Sequence, residues 1–352
     1  MSNLTTTLVL LVVAVFHSGS GLLENDFVSI TFKVQDSLAY DNYILVDAST
    51  DFASIVRSNG LFRAFNASYP NYDWCSNSYH LESPTGLLYV KTPKAASSTT
   101  AGIALRIANR LPNAHKEVAQ VPCKAQVNHT PKYKAGPLYG HRNKSKSFLF
   151  STLRDPAKRA VSRIFFGDVS SHGNEPTDEN MLHWLNHAHD QAGSISPGMG
   201  GFQLAYLSLT PIREYSAWAQ EVSSTIVNPM PQQDNIVLNP GAVHANVKQI
   251  LEQYDFLIVV ERFDESLVAM QLLLELNAAD IMYLASKHAG EYWMNGKGKC
   301  IRLHDSFVSS VAAQHLASPK WYAQNYGDYL LLEAANLSLD LTIERLGQET
   351  IQ

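Results

Sequence analysis

Residues 87–110 read LLYVKTPKAASSTTAGIALRIANR, and the two ends of this stretch follow different periods. Gly86 to Thr92 is a short apolar run opened by a glycine, the pattern of a buried strand. Further on, Ile103, Ile107 and Leu111 recur every four residues with Ala104 and Ala108 beside them. That spacing predicts a helix with one apolar face and with Arg106 and Arg110 turned outward. Pro112 is expected to stop it. Between strand and helix stand Lys91, Thr92, Lys94, Ser97, Ser98, Thr99 and Thr100. A strand that turns directly into a helix leaves the first N–H groups of that helix pointing at the loop, where an anion can take them. Hydroxyls and lysines in the same turn add donors and positive charge, so the stretch predicts a phosphate cradle.

The surrounding chain sets the frame. It has 352 residues, 45% of them hydrophobic, enough for one large α/β domain or two ordinary ones. A net charge of −5 argues against a nucleic-acid binder with a broad basic face. The three cysteines, Cys75, Cys123 and Cys300, show no zinc spacing and allow one bridge and one free thiol at most. Leu4 to Phe16 is almost unbroken apolar and shorter than a membrane span, so residues 1–21 are expected to be a signal peptide or a short signal anchor. Sequons at Asn66, Asn128, Asn143 and Asn336 agree with a route through the secretory pathway. Residues 22–83 read as a stem or an N-terminal elaboration, and residues 84–348 as the main domain.

Phe148 to Leu153 is a second candidate buried strand and runs into Arg154-Asp155-Pro156. Asp155 suits an N-cap and Pro156 a first helical turn, with Ala160, Val161, Ile164 and Phe165 sharing one helix face. The polar segment before it carries Lys132, Lys134, His141, Arg142, Lys144 and Lys146, either a solvated loop or a wall of an anion site. His183 and His187 have helical spacing, but Trp184 stands where a zinc protease needs Glu, and no metal is expected. Residues 194–201, SISPGMGG, read as a loop that could edge a cleft. Phe256 to Val260 is a third apolar strand. Asp264 to Leu276 reads as a helix with Asp264 as its N-cap, and Asp328 to Leu346 as a helix pair.

The cradle is not of the ATP type, because GxxxxGK[ST] is absent. KTPKAASST (residues 91–99) instead resembles the 5′-phosphosulfate loop of sulfotransferases that use 3′-phosphoadenosine 5′-phosphosulfate, and of these the Golgi carbohydrate class. RDPAKRAVSRIFF (residues 154–166) resembles the 3′-phosphate segment of the same family. FLIVVERFDESLVAMQLLLEL (residues 256–276) is similar to the galactose 3-O-sulfotransferase branch, with some likeness to heparan sulfate 2-O-sulfotransferase. Residues 328–346 resemble that family's closing segment.

The resemblance implies a P-loop-NTPase-like three-layer sandwich around a central parallel sheet, with the donor at the strand ends. It implies a lumenal Golgi enzyme that moves a sulfuryl group from this donor to a glycan hydroxyl, galactose or a related sugar, without a metal. Lys94 then stabilises the leaving phosphate. The loop of Lys91, Ala95, Ala96, Ser97, Ser98 and Thr99 holds the 5′-phosphosulfate, with Lys91 either a second charge or a strand end. Arg154 and Ser162 hold the 3′-phosphate. His141, in LYGHRNKS (residues 138–145), is the expected base, with His129 behind it. Pro93 departs from the family's usual His, and Ala95-Ala96 from its Thr/Ser/Gly pair, which bears on the acceptor more than on the donor. A P-loop nucleoside-phosphate kinase and a non-catalytic glycan-binding protein of the same fold are the rival readings.

Overall fold

The computed structural model describes residues 43–66, 85–114, 125–128, 139–187, 201–209, 236–238, 240–283, 290, 292–294, 298 and 300–351. The apolar stretch Leu4–Phe16, Cys75, Cys123 and the residue 194–200 loop lie outside them. Among the described residues no helix is long and apolar enough to cross a membrane. In chain order the elements are β1 (Tyr43–Leu45), α1 (Phe52–Ser58), β2 (Gly86–Val90), α2 (Ser97–Ala114), β3 (Ala125–Asn128) and β4 (Ser147–Leu153). Then come α3 (Pro156–Ile164), a π-helical turn (Phe165–Ser171), α4 (Asp178–His187), α5 (Phe202–Leu207), β5 (Ile236–Leu238), α6 (Pro240–Gln253) and β6 (Phe256–Val259). The chain closes with α7 (Phe263–Leu273), α8 (Ala278–Ile281), β7 (Tyr292–Met294), β8 (Cys300–Arg302), α9 (Ser310–Leu316), α10 (Pro319–Gln324) and α11 (Tyr326–Ile351).

The fold is mixed α/β with a small parallel sheet of four strands in the order β3-β2-β4-β6. Every residue of β2, β4 and β6 is buried, as parallel strands covered on both faces require. From β2 the chain steps to β3 on one side, then returns across β2 to β4 on the other. The order therefore reverses between β2 and β4, and in open α/β sheets ligands bind outside the carboxyl ends of the strands at such a point. Hydroxyls tie the two central strands together: Tyr89 Oη and Thr152 Oγ1 are 3.0 Å apart, and Ser151 Oγ donates to the Val90 carbonyl at 2.7 Å.

Several elements differ from their expected form. Pro112 sits inside the last turn of α2, where the loss of one N–H removes a single bond and the helix outlasts it. Arg262, not Asp264, is the N-cap of α7, and the Asp264 carboxylate instead accepts from the Tyr283 hydroxyl at 2.9 Å. Residues 328–346 lie within the single helix α11; no glycine or proline interrupts them, and burial of Leu330, Leu331, Ala334, Ala335 and Leu339 rewards continuity.

Residues 43–66 share the core of the sheet, so the compact unit begins well before residue 84. Val46, Val56, Leu61 and Phe65 are buried with it, the Phe65 and Phe256 rings are 4.9 Å apart, and Phe65 N–H donates to Thr342 Oγ1 at 2.8 Å.

At the amino end of the sheet a buried charge pair sets the entry of β4 and β6. The Arg142 guanidinium meets Asp255 Oδ2 at 3.0 Å and donates to the carbonyls of Ser147 and Gln253. The same Asp255 oxygen accepts Leu149 N–H at 2.6 Å. Removing one member of such a pair leaves the other charged and buried. Asp255→Ala is expected to lower the unfolding free energy by about 3–5 kcal/mol in urea titrations; a loss below about 1 kcal/mol, the scale of an exposed pair, would contradict this account.

Candidate functional site

The chain leaves β2 at Val90 and enters α2 at Ser97, and the turn between them is unusual. Lys94 and Ala96 have φ of 65° and 50°, left-handed backbone that side chains with a Cβ adopt at a cost of roughly 1–2 kcal/mol each. Strain of this kind persists where surrounding structure enforces it, often at functional sites. Here Ala95 is fully buried, and the Ala96 carbonyl accepts both the N–H and the hydroxyl of Thr100, at 3.1 and 3.2 Å. Thr100 is the first helical residue to find an acceptor. Among the described residues the N–H groups of Ser97, Ser98 and Thr99 have none. A left-handed turn feeding open N–H groups forms an anion-binding concavity.

Arg154 closes it from the neighbouring strand. It follows β4 directly, and its Nη1 donates to the Lys94 carbonyl at 3.1 Å, while its Nε is buried with no partner among the described residues. Asp155 caps α3 by accepting Lys158 N–H at 2.8 Å, with Pro156 in the first turn. Burial lowers the pKa of Lys91 and of Arg154, the latter against the pull of Glu261 and Asp155. Lys94 Nζ lies 4.1 Å from the centroid of the Phe166 ring, a cation–π contact. Phe166 belongs to the π-helical turn and packs on Trp293 of β7 at 4.8 Å. Such turns are frequent at functional sites.

The tertiary structure thus brings together Lys91, Lys94, Ala95, Ala96, Ser97, Ser98, Thr99 and Arg154. Ser162 stands about 9 Å along α3 from its first residue, half-buried. His141 is not brought to the cradle. It adjoins Arg142, which is bonded to the start of β4, and the length of β4 separates the two ends of the sheet by about 20 Å. A segment that leads into a parallel strand lies at the amino end of the sheet, so His141 stands at the end opposite the cradle. His129, the alternative base, lies outside the described residues. His183 is exposed, and among the described residues no group of His, Cys, Asp or Glu could hold a metal. Cys300 is free and exposed.

Residues without a local signal complete the site. Gln203 of α5 pairs its amide with the backbone of Arg154, Oε1 accepting the N–H at 2.9 Å and Nε2 donating to the carbonyl at 2.7 Å. Tyr206 of the same helix donates to the Lys91 carbonyl at 3.2 Å. Arg159 is buried with its guanidinium carbon 4.1 Å from the Phe202 ring, and burial draws its pKa down to about 10, so it stays charged at neutral pH. Asp328, fully buried, faces it.

No family model matches the chain, and neither do any curated protein or solved structure. The site is therefore read from its own geometry: a strained turn with three open N–H groups, carrying two lysines and bonded by an arginine of the adjacent strand, at a strand-order reversal. That arrangement suits a ligand with several negative oxygens.

Burial pushes the Asp328 carboxyl up to about 6 from 3.8, against the opposing effects of Arg159 and the N–H groups it accepts. The folded chain then keeps this proton to higher pH than the unfolded chain, so this group's contribution to stability falls as pH rises through that interval and is level above it. Wild type is expected to lose stability relative to Asp328→Asn between about pH 4 and 6 in urea titrations, with no further change above. A difference independent of pH over this interval would refute it.

Proposed function

We propose that this chain transfers a sulfuryl group from 3′-phosphoadenosine 5′-phosphosulfate to a hydroxyl of a glycan, galactose or a related sugar, in the lumen of the secretory pathway. The observation that carries the reading is the hydrogen bond from Arg154 Nη1 to the Lys94 carbonyl. It joins the two segments that resemble the donor's 5′-phosphosulfate and 3′-phosphate sites, on adjacent parallel strands. The finer architecture of the reading, a P-loop-NTPase-like sandwich of three layers, is part of the same proposal.

Sulfuryl transfer resembles phosphoryl transfer, with a loose in-line transition state and charge spread over the oxygens. The chain then has to position donor and acceptor, stabilise the leaving phosphate and accept a proton. In this reading Lys94 meets the bridging oxygen and the N–H groups of Ser97, Ser98 and Thr99 hold the 5′-phosphosulfate. Arg154, through its guanidinium fork, and Ser162 hold the 3′-phosphate. The base role passes from His141 to His129. The acceptor oxygen attacks sulfur, the bond to the bridging oxygen breaks, and the proton leaves with His129. A donor-binding protein without transfer activity is the second reading, favoured by the place of His141 at the far end of the sheet.

Calorimetry with 3′-phosphoadenosine 5′-phosphate is expected to give a Kd of about micromolar for wild type, weakened roughly tenfold or more in Arg154→Ala and in Lys94→Ala. A folded wild type that does not bind overturns the proposal. With labelled donor and galactose-terminated glycans, His129→Ala is expected to reduce transfer by about 100-fold or more and His141→Ala to leave it unchanged. Donor binding with no transfer to any galactose-terminated glycan would select the second reading.

A further inference from the structure

We propose that Asp328, on the last helix, is a positioning residue for the anion site, acting through α5 and Gln203 on the backbone of Arg154. The inference rests on the donor-site reading given above and deepens it.

Helix α5 is only six residues long, and its N-cap is Gly201, which has no side chain to cap it. Its cap comes from across the chain. Asp328 Oδ2 accepts Gln203 N–H at 3.0 Å, and Oδ1 accepts Leu204 N–H at 2.8 Å. Both carboxylate oxygens are thus spent on the first turn of α5, and the carboxylate itself is fully buried. Gly201 has a φ of +92°, and a Cβ there would stand 2.5 Å from the Asp328 carboxylate carbon. Glycine is the residue that admits both the backbone and the close approach.

Held in this way, α5 reaches both loops of the cradle. The Gln203 amide makes its two bonds to Arg154 N–H and carbonyl, and Tyr206 Oη donates to the Lys91 carbonyl. Arg154 in turn donates to the Lys94 carbonyl. A continuous chain of hydrogen bonds runs from Asp328 through Gln203 and Arg154 to the left-handed turn at Lys94. Arg159 supplies the facing positive charge beneath it, with its Nε unpartnered among the described residues. The backbone of Arg154 is the hinge that aims its guanidinium. A group that fixes this backbone from both sides fixes the aim without touching the ligand.

The test reads donor-product affinity and fold stability separately. Gln203→Met keeps the volume and deletes both bonds to Arg154. It is expected to weaken binding of 3′-phosphoadenosine 5′-phosphate roughly tenfold, the scale of one or two lost polar contacts. The same change placed in Arg154→Ala is expected to have no further effect, because the side chain it aims is gone. Asp328→Asn weakens binding in the same direction, and Gly201→Ala does so from the other side of the contact should Asp328→Asn fail to fold. Binding by Gln203→Met within about twofold of wild type, or a loss that persists undiminished in Arg154→Ala, overturns the inference while leaving the donor site standing. A folded wild type that does not bind the nucleotide overturns both.

Discussion

The parallel pairing of β2 with β4 is the constraint on which the site depends. Their register sets Val90 opposite Ser151, and the Thr92 and Ser151 hydroxyls meet at 3.0 Å just beyond it. Strand β4 continues past that point, so Arg154 emerges about 10 Å further along, level with a turn that must fold back on itself to meet it. The two chains then diverge, one into α2 and the other into α3, and leave a crevice floored by backbone donors. A register different by one residue would exchange the two faces of one strand relative to the other, and would separate the Tyr89–Thr152 and Thr92–Ser151 hydroxyl pairs.

Charge is distributed to suit that crevice. Each arginine near the sheet has its own carboxylates, with Asp155 and Glu261 acting on Arg154 beside the cradle. Asp255 serves Arg142 at the amino end of the sheet, and Asp328 faces Arg159 from the last helix. On the ligand side stand Lys91, Lys94, Arg154 and the first turn of α2. Backbone strain at Lys94 and Ala96 points the same way. A conformation that costs free energy in the empty protein is retained where neighbours enforce it, and here the neighbours are the buried Ala95, Thr100 and Arg154.

Much of the site was legible locally. The apolar run before Lys91, the four-residue spacing of Ile103 and Ile107, the Asp155 cap and the Pro156 start each rest on contacts within a few residues. These contacts are the same in any fold that contains the segment. The expectation for His141 rested on resemblance, although chain order already opposed it, because the loop before a parallel strand lies at the amino end. Pro112, Asp264 and residues 328–346 misled because local signals state where a helix can end, and packing decides whether it does.

What the sequence by itself determined is the three strands β2, β4 and β6, the Asp155 cap and the donor-rich turn between β2 and α2, because period and capping are short-range properties. Only the tertiary structure decided which loops share an end of the sheet, and that Gln203, 49 residues from Arg154, and Asp328, 125 residues from Gln203, hold the arginine in place. Those contacts join side chains to backbone across distant segments, have no period, and come into being when the core closes and leaves a buried N–H with one carboxylate within reach.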